Sequence, residues 1–233
     1  MRLSMARSYG TFAGWVERRL IQLAHMIVLT LTLTAIATAL AKATDPIRIV
    51  VLGDSLSAGL GLPAGDAFPA RLQKALKEKG IDIDISNAGV SGDTASGGRD
   101  RLDWSVPEGT EGVILELGAN DALRGIDPSV TRAALSDIVG RLKARGIAVL
   151  LCGMLAPPNY GSDFAARFNS IYPDLARSFG VALYPFFLDG VAADAKLNQA
   201  DGMHPTRAGV DMIVTRIMPT VAAFLSSIRG QSH

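Results

Sequence analysis

The segment that decides the fold is residues 47–59, which read IRIVVLGDSLSAG. Its first half, Ile47–Leu52, is a short run of β-branched and aliphatic residues, and such a run predicts a buried strand. Gly53 ends the run, and the polar residues Asp54 and Ser55 follow directly. The segment therefore places polar side chains at the carboxyl end of a strand. For Asp54 we favour a helix-cap or turn role over a direct chemical one.

The rest of the chain alternates apolar runs with amphipathic stretches. Four further strands are predicted at Ile81–Ser86, Gly112–Leu117, Ile147–Cys152 and Val181–Tyr184. Helices are predicted at Phe68–Lys79, Pro128–Arg145, Asp163–Phe179 (broken or kinked at Pro173) and Thr206–Ile228 (bent at Pro219). Because whole helices separate the strands, parallel pairing through right-handed crossovers is expected. The predicted fold is therefore of the α/β class, a three-layer α/β/α sandwich with a five-stranded parallel sheet.

Composition narrows the class of protein further. The 233 residues are 48% hydrophobic and 19% charged, with a formal net charge of +1 and a single cysteine. These values exclude a disordered tail protein, a collagen-like repeat and a disulfide framework. A near-neutral chain also gives no electrostatic reason to expect a nucleic-acid partner.

The first 43 residues differ from the rest of the chain. They carry five basic side chains and one acidic one, and Met26–Leu40 (MIVLTLTLTAIATAL) is free of charge. A basic stretch, a short apolar run and a small-residue site are typical of a secretory signal peptide. We expect residues 1–43 to be removed near Ala41 or Ala43, which leaves one domain at 44–233 in the periplasm or outside the cell. The alternative is that this segment is kept as an uncleaved membrane anchor. Otherwise we expect at most transient membrane contact, through the signal before it is cleaved.

Four polar segments follow the predicted strands. They are GDSLSAG at 53–59, NAGVSGDT at 87–94, GAND at 118–121 and DGMHP at 201–205. In open parallel sheets a ligand lies beyond the carboxyl ends of the strands, so we expect these segments to meet at one edge of the sheet.

The residue types in these segments are suited to nucleophilic catalysis. A serine hydroxyl needs a base to take its proton, and after residue 43 the chain has only one histidine, His204, besides the terminal His233. Asp201 precedes His204 by three residues, close enough for its carboxylate to reach one ring nitrogen while the other faces Ser55. The alternative is that Asp201 caps a turn beside a surface histidine. Ser57, two residues after Ser55, is a second candidate for the nucleophilic hydroxyl.

The four segments together resemble the four sequence blocks of the SGNH hydrolases, also called the GDSL esterase and lipase family. Three further segments resemble one branch of that family, which contains periplasmic acyl-CoA thioesterases, lysophospholipases and arylesterases: LELGANDALRG at 115–125, APPNYG at 156–161 and FNSIYPDLARSFGVALYPFF at 168–187. The similarity runs from about Ile47 to the C-terminus. It implies the flavodoxin-like SGNH hydrolase fold, and it makes Ser55, the third residue of Gly-Asp-Ser, the nucleophile.

The resemblance also implies an oxyanion hole and a substrate class. The oxyanion donors would be the backbone N–H groups of Ser55 and Gly92 and the side-chain amide of Asn120. Ala119 departs from the family pattern, in which a second glycine is common at this place. The implied substrates are aryl esters and short- to medium-chain acyl esters, with acyl thioesters and lysophospholipids as further options.

Three apolar side chains are implied to contact the acyl chain: Leu155, Tyr160 and Phe164. For Tyr160 the alternative is packing on the core. Within the same chemistry, a carbohydrate acetylesterase is the second option. From another class, a non-catalytic α/β binding protein or a mononucleotide binder is an alternative, although the sequence has no phosphate-binding loop. We expect no metal and no cofactor, because no cluster of ligands has metal-site spacing, and we expect a monomer. Cys152 lies in an apolar run and is expected to be a buried, inert thiol.

Overall fold

The computed structural model describes residues 46–231 and several helical, exposed positions between 17 and 30, namely 17, 20–23, 25–27 and 30. Residues 1–45 and residues 46–233 form two separate units. The predicted cleavage sites at Ala41 and Ala43 lie outside the described residues, so the signal peptide remains a prediction.

The second unit is built on a parallel sheet, as the sequence predicts. Its strands are β1 (Ile47–Gly53), β2 (Ile83–Gly89), β3 (Gly112–Glu116), β4 (Ala148–Cys152) and β5 (Ala182–Tyr184). The spatial order is β2-β1-β3-β4-β5, and every neighbouring pair is parallel. β1, β3 and β4 are buried almost throughout, because helices cover both faces of the sheet. β2 is an edge strand in which Ile83 is buried and Asp84 is exposed, in agreement with its alternating sequence.

Helices form the two outer layers. The helices are α1 (Ser55–Ala58), α2 (Phe68–Glu78), α3 (Ala95–Asp100), α4 (Leu102–Ser105), α5 (Ala119–Leu123), α6 (Pro128–Ala144), α7 (Gly161–Asn169), α8 (Ile171–Phe179) and α9 (Arg207–Gln231). α2 packs against α9 on one side of the sheet, whereas α6 packs against α3 and α8 on the other. The three-layer α/β/α sandwich is therefore confirmed. α9 is long and apolar enough to cross a membrane, but nearly half of its apolar segment is buried against this domain, as in a core helix.

The predicted helix at 163–179 is two helices. The break lies at Ser170, three residues before the proline that was expected to cause it. Pro173 occupies the first turn of α8, where its missing N–H is not needed, so it starts a helix instead of breaking one. α9 likewise continues through Pro219. The short helices α1, α3, α4 and α5 were not predicted, because four to six residues are too few to show a helical period.

The strand order places the functional segments. The chain runs from β1 to β2 on one side and then crosses to β3 on the other side of β1. The connections that leave β1 and β3 therefore diverge, and in such folds this is the crevice where a ligand lies. α1 begins two residues after β1, and α5 begins three residues after β3.

Candidate active site

A tight turn presents Ser55 at the end of β1. Asp54 caps the short helix α1, and its Oδ1 accepts a hydrogen bond of 3.0 Å from the backbone N–H of Leu56. Ser55 is the first residue of that helix, so its own N–H has no acceptor within the helix. The Ser55 side chain is close to the surface, although the residue is only 8% exposed. The turn thus presents, at one point, a hydroxyl and an N–H for which no described residue is the acceptor.

His204 and Asp201 reach this hydroxyl from a loop that precedes α9. The Oγ of Ser55 lies 2.9 Å from Nε2 of His204, and Nδ1 of His204 lies 2.6 Å from Oδ2 of Asp201. The loop is fixed by its own backbone, since the N–H of Gln199 donates to the carbonyl of His204 over 2.7 Å. The structure therefore brings Ser55, His204 and Asp201 into one chain of hydrogen bonds.

Asp201 is held as a carboxylate by its own turn. Its Oδ1 accepts the backbone N–H groups of His204 and Met203 at 3.0 and 2.9 Å. These two bonds, followed by the contact with the His204 ring, lower the pKa of Asp201 to about 2. The carboxylate is therefore ionised throughout the neutral range, and it can orient the imidazole and stabilise its protonated form.

The predicted oxyanion donors also lie at this edge of the sheet. Gly92 has a φ of +86°, which favours glycine, and no described residue accepts a hydrogen bond from its N–H. The amide nitrogen of Asn120 donates to Oδ2 of Asp54 at 3.0 Å and to the carbonyl of Asp93 at 2.9 Å. Both of its hydrogens are thus engaged, and an oxyanion that binds here must share or replace one of these acceptors.

The departure from the family pattern at Ala119 fits the backbone. Gly118 takes the positive φ of +113°, and a side chain at that position would meet the hydroxyl of Tyr172. Ala119 begins helix α5 and lines the cavity beside Ser55. An alanine is a good helix former, so the turn does not require a second glycine.

Beneath Ser55 lies a buried pair of carboxyl groups, Asp54, whose predicted cap role is seen in the structure, and Glu116, which the sequence analysis did not single out. Oε2 of Glu116 accepts the hydroxyl of Ser57 at 2.6 Å and the N–H of Asp54 at 3.3 Å, while its Oε1 has no partner among the described residues. Burial, followed by the charge of Asp54, raises the pKa of Glu116 well above its ordinary value. Burial also raises the pKa of Asp54, to about 6. The signal in the sequence was one acidic residue inside the apolar run GVILEL.

The hydrogen bond to Glu116 also decides between the two candidate serines. Ser57 is fully buried with its hydroxyl turned toward Glu116, whereas Ser55 faces the cavity and His204.

Cys152 is buried as well, and burial raises its pKa, so the thiol stays protonated. In the part of the chain that the structure describes, no group of His, Cys, Asp and Glu side chains is arranged to hold a metal ion.

An apolar cavity of about 370 Å³ opens beside the Ser55 hydroxyl. Its wall is formed mainly by aliphatic side chains from the segments that follow β3, β4 and β5, among them Ala122, Leu123, Met154, Leu155 and Leu188. Of the three predicted acyl contacts, the structure places only Leu155 on this wall. Tyr160 instead donates its hydroxyl to the carbonyl of Leu123 at 2.8 Å, and its ring lies 5.1 Å from that of Phe164. Tyr160 and Phe164 therefore support the wall from outside.

The chain matches known proteins over most of this domain. Residues 51–212 match the model of the GDSL-like Lipase/Acylhydrolase family. The chain belongs to this family. Two relatives are similar in sequence to this GDSL-like protein over about three quarters of its length. It is 39% identical to Esterase TesA of Pseudomonas aeruginosa over 76% of this chain and 89% of that one. It is 37% identical to Thioesterase 1/protease 1/lysophospholipase L1 of Escherichia coli K12 over 74% and 84% of the two chains.

A solved structure supports the same assignment of the GDSL-like protein. The esterase AlinE4, described as an SGNH-hydrolase family esterase, is 44% identical, with a TM-score of 0.66 over 77% of this chain and 96% of that one. The predicted SGNH hydrolase fold is therefore confirmed.

Proposed function

We propose that the protein is a serine esterase that hydrolyses short- to medium-chain carboxylic esters through an acyl-enzyme on Ser55. The observation that carries the proposal is the hydrogen-bonded chain from Ser55 through His204 to Asp201, at the mouth of an apolar cavity. An esterase is also what the family and its relatives indicate.

The first step is attack by the Ser55 oxygen on the ester carbonyl. Nε2 of His204, at 2.9 Å, takes the hydroxyl proton as the new carbon–oxygen bond forms. The imidazolium that results lies against the ionised Asp201, which stabilises the positive charge and fixes the ring. Without this base, a serine hydroxyl at neutral pH would be a weak nucleophile.

The second requirement is a place for the negative charge on the carbonyl oxygen. Among the described residues none accepts a hydrogen bond from the N–H of Ser55 or Gly92, so both can donate to the oxyanion, and the Asn120 amide lies at the same edge of the sheet. Each well-placed donor contributes about 3–4 kcal/mol to stabilisation of the tetrahedral intermediate. The imidazolium of His204 then protonates the leaving alkoxide or thiolate, and the acyl group stays on Ser55.

The cycle closes with water. After the alcohol or thiol leaves, His204 takes a proton from a water molecule as the water oxygen attacks the acyl carbonyl. The imidazolium then returns this proton to the Ser55 oxygen as the bond between Ser55 and the acyl carbon breaks and the carboxylic acid leaves. The same donors stabilise this second tetrahedral intermediate, so one set of residues serves both halves of the reaction.

The cavity supports the substrate class. A wall of aliphatic side chains favours an acyl chain over a sugar, which would need more hydrogen-bonding partners. A volume of about 370 Å³ suits a short or medium chain. Aryl esters, acyl thioesters and lysophospholipids share this acyl part and differ in the leaving group. The basic and apolar character of residues 1–43 supports export of the enzyme, with cleavage near Ala41 or Ala43.

The test is active-site labelling. A fluorophosphonate probe should modify the purified enzyme at Ser55, as located by peptide mass mapping, and hydrolysis of p-nitrophenyl butyrate should fall in parallel with labelling. Ser55→Ala should lose both labelling and about 10⁶-fold in kcat, whereas Ser57→Ala should keep both. Modification of another residue, or full turnover by Ser55→Ala, would refute the mechanism.

A further inference from the structure

Arg101 carries a buried guanidinium group below the proposed oxyanion hole. Its side chain is 7% exposed, and three of its hydrogen-bond partners (Gly53, Ala88 and Asp93) lie at or just beyond the carboxyl ends of β1 and β2. Nη2 donates to the carbonyl of Gly53 at 2.8 Å, and Nη1 donates to the carbonyl of Ala88 at 2.7 Å and to the hydroxyl of Ser105 at 3.1 Å. Nε donates to Oδ2 of Asp93 at 2.6 Å. One side chain thus joins the ends of β1 and β2 to the segment that follows β2.

Each proposed oxyanion donor is connected to a group that Arg101 contacts, either within two residues along the chain or through one hydrogen bond. Ser55 follows Gly53 by two residues, and Gly92 is bonded directly to Asp93. The amide nitrogen of Asn120 donates to the backbone carbonyl of the same Asp93 at 2.9 Å. Through Gly53 and Asp93, Arg101 is therefore linked to all three donors, and its side chain helps to fix the distances between them.

The segment around Gly92 is held by a small number of hydrogen bonds, among them one from the N–H of Val90 to the carbonyl of Gly53 at 3.0 Å and one from Asn120 to the carbonyl of Asp93. Gly92 adopts a left-handed conformation, its N–H has no acceptor among the described residues, and its carbonyl accepts one bond from the exposed Arg124. The N–H of Asp93 donates to the carbonyl of Val90 at 3.1 Å. The buried Arg101 holds Asp93 itself through the carboxylate, and the buried Asp121 accepts the N–H of Ala95 two residues further along the chain.

We propose that Arg101 is a positioning residue for the oxyanion hole, an inference that rests on the proposed function. The guanidinium group is suited to this role, because its planar set of five N–H donors reaches carbonyl and carboxylate oxygens in fixed directions. A lysine at this position retains the charge for Asp93 but not the fixed geometry toward Gly53 and Ala88. The donors then shift relative to one another. A displacement of a fraction of an ångström reduces the stabilisation of the transition state more than it reduces the binding of the ester.

The experiment compares Arg101→Lys with wild-type enzyme in the full chain. We expect kcat for p-nitrophenyl butyrate to fall about 100-fold, with KM changed by less than about threefold. The inhibition constant of an alkyl trifluoromethyl ketone, which forms a tetrahedral oxyanion on serine, should rise by the same factor as kcat/KM falls. Concentrations are normalised to folded protein by circular dichroism.

Arg145→Lys is the matched control. Arg145 also donates through its guanidinium to a backbone carbonyl, that of Val106 at 2.7 Å, but it does so at the opposite end of the sheet. We expect this variant to keep wild-type kcat and ketone inhibition even where its melting temperature falls.

The outcomes separate the two proposals. A lower melting temperature in Arg101→Lys with unchanged kcat and unchanged ketone inhibition would show a purely structural role and overturn the inference alone. A wild-type enzyme that neither hydrolyses the ester nor binds the ketone would overturn the proposed function itself. If Arg101→Lys does not fold, the double variant D93N/R101M removes the charge of the buried Arg101 together with that of its half-buried partner Asp93 and keeps the backbone carbonyl that Asn120 contacts. That variant should show the same loss of kcat at unchanged KM, and a wild-type kcat would overturn the inference.

Discussion

Two sets of carboxyl groups flank Ser55, and their surroundings give them opposite properties. Asp201 lies in an exposed loop, where three hydrogen bonds from His204 and Met203 lower its pKa to about 2. Asp54 and Glu116 lie beneath the nucleophile with no exposed surface, and burial raises the pKa of both groups. On one side of the serine the carboxyl group has a lowered pKa and is ionised at neutral pH, whereas on the other side the carboxyl groups have raised pKa values. Number of donors and access to water, rather than residue type, decide the charge.

The largest expected effect tests the exposed side of this comparison. Asp201→Asn removes the negative charge beside His204 and leaves an amide that can stabilise the wrong ring tautomer, so kcat should fall about 10⁴-fold. The control is Asp163→Asn, a change at a solvent-exposed helix residue, which should leave kcat unchanged. Steady-state kinetics at neutral pH provide the measurement. A loss of less than tenfold would mean that His204 is oriented by its backbone and not by the carboxylate.

A smaller effect is expected on the buried side. Asp54→Asn replaces Oδ2, which accepts from Asn120, so two amide groups compete to donate and Asn120 turns away from the oxyanion. We expect kcat to fall about 10- to 100-fold with KM nearly unchanged. Asp127→Asn is the matched control, because Asp127 caps α6 by the same kind of bond, to the N–H of Ser129 at 2.8 Å, without touching the site. Equal kcat values for the two variants would reduce Asp54 to a helix cap.

The pH dependence of stability measures the second buried group. A carboxyl group with a raised pKa binds more protons folded than unfolded, so it makes stability fall as pH rises, from about pH 4.5 up to its own folded pKa. Glu116→Gln removes this proton. Above about pH 4.5 the stability of the variant relative to wild type should therefore rise with pH, by at most about 1.4 kcal/mol per pH unit, as measured by urea unfolding. Glu111→Gln, at a carboxylate that accepts the N–H of Arg48, should follow the wild type, and parallel curves for Glu116→Gln would contradict a protonated Glu116.

The smallest effect concerns the hydroxyl of Ser57, which donates to the buried Glu116. Ser57→Ala removes the donor to Oε2 of Glu116 and should lower the free energy of unfolding by about 1–3 kcal/mol. Its kcat should stay within about threefold of wild type, because Ser57 does not face the cavity. Urea unfolding and ester hydrolysis on the same preparation provide both numbers. A loss of activity comparable to that of Ser55→Ala would make the buried hydroxyl part of the reaction.

Local patterns predicted most of the architecture. All five strands were placed to within three residues at each end, since apolar runs of this length reflect burial in a parallel sheet. The helix break that was predicted at Pro173 lies instead at Ser170, because a proline in the first turn of α8 fits the helix. The single helix that was predicted to run through Pro219 is confirmed. The sequence placed Leu155 at the cavity, but it assigned Tyr160 and Phe164 to a surface that they only support.

The amino-acid sequence by itself determined the alternation of strands and helices, the turn that exposes Ser55, and the spacing of Asp201 and His204. Each of these depends on residues within a few positions of one another, and neighbours along the chain are close in any fold. Only the tertiary structure decided which serine faces the cavity, that Glu116 lies beneath it, and that Arg101 joins Gly53, Ala88 and Asp93. Those contacts join residues as far as 59 positions apart, and a buried polar group takes whichever partner the packing brings to it.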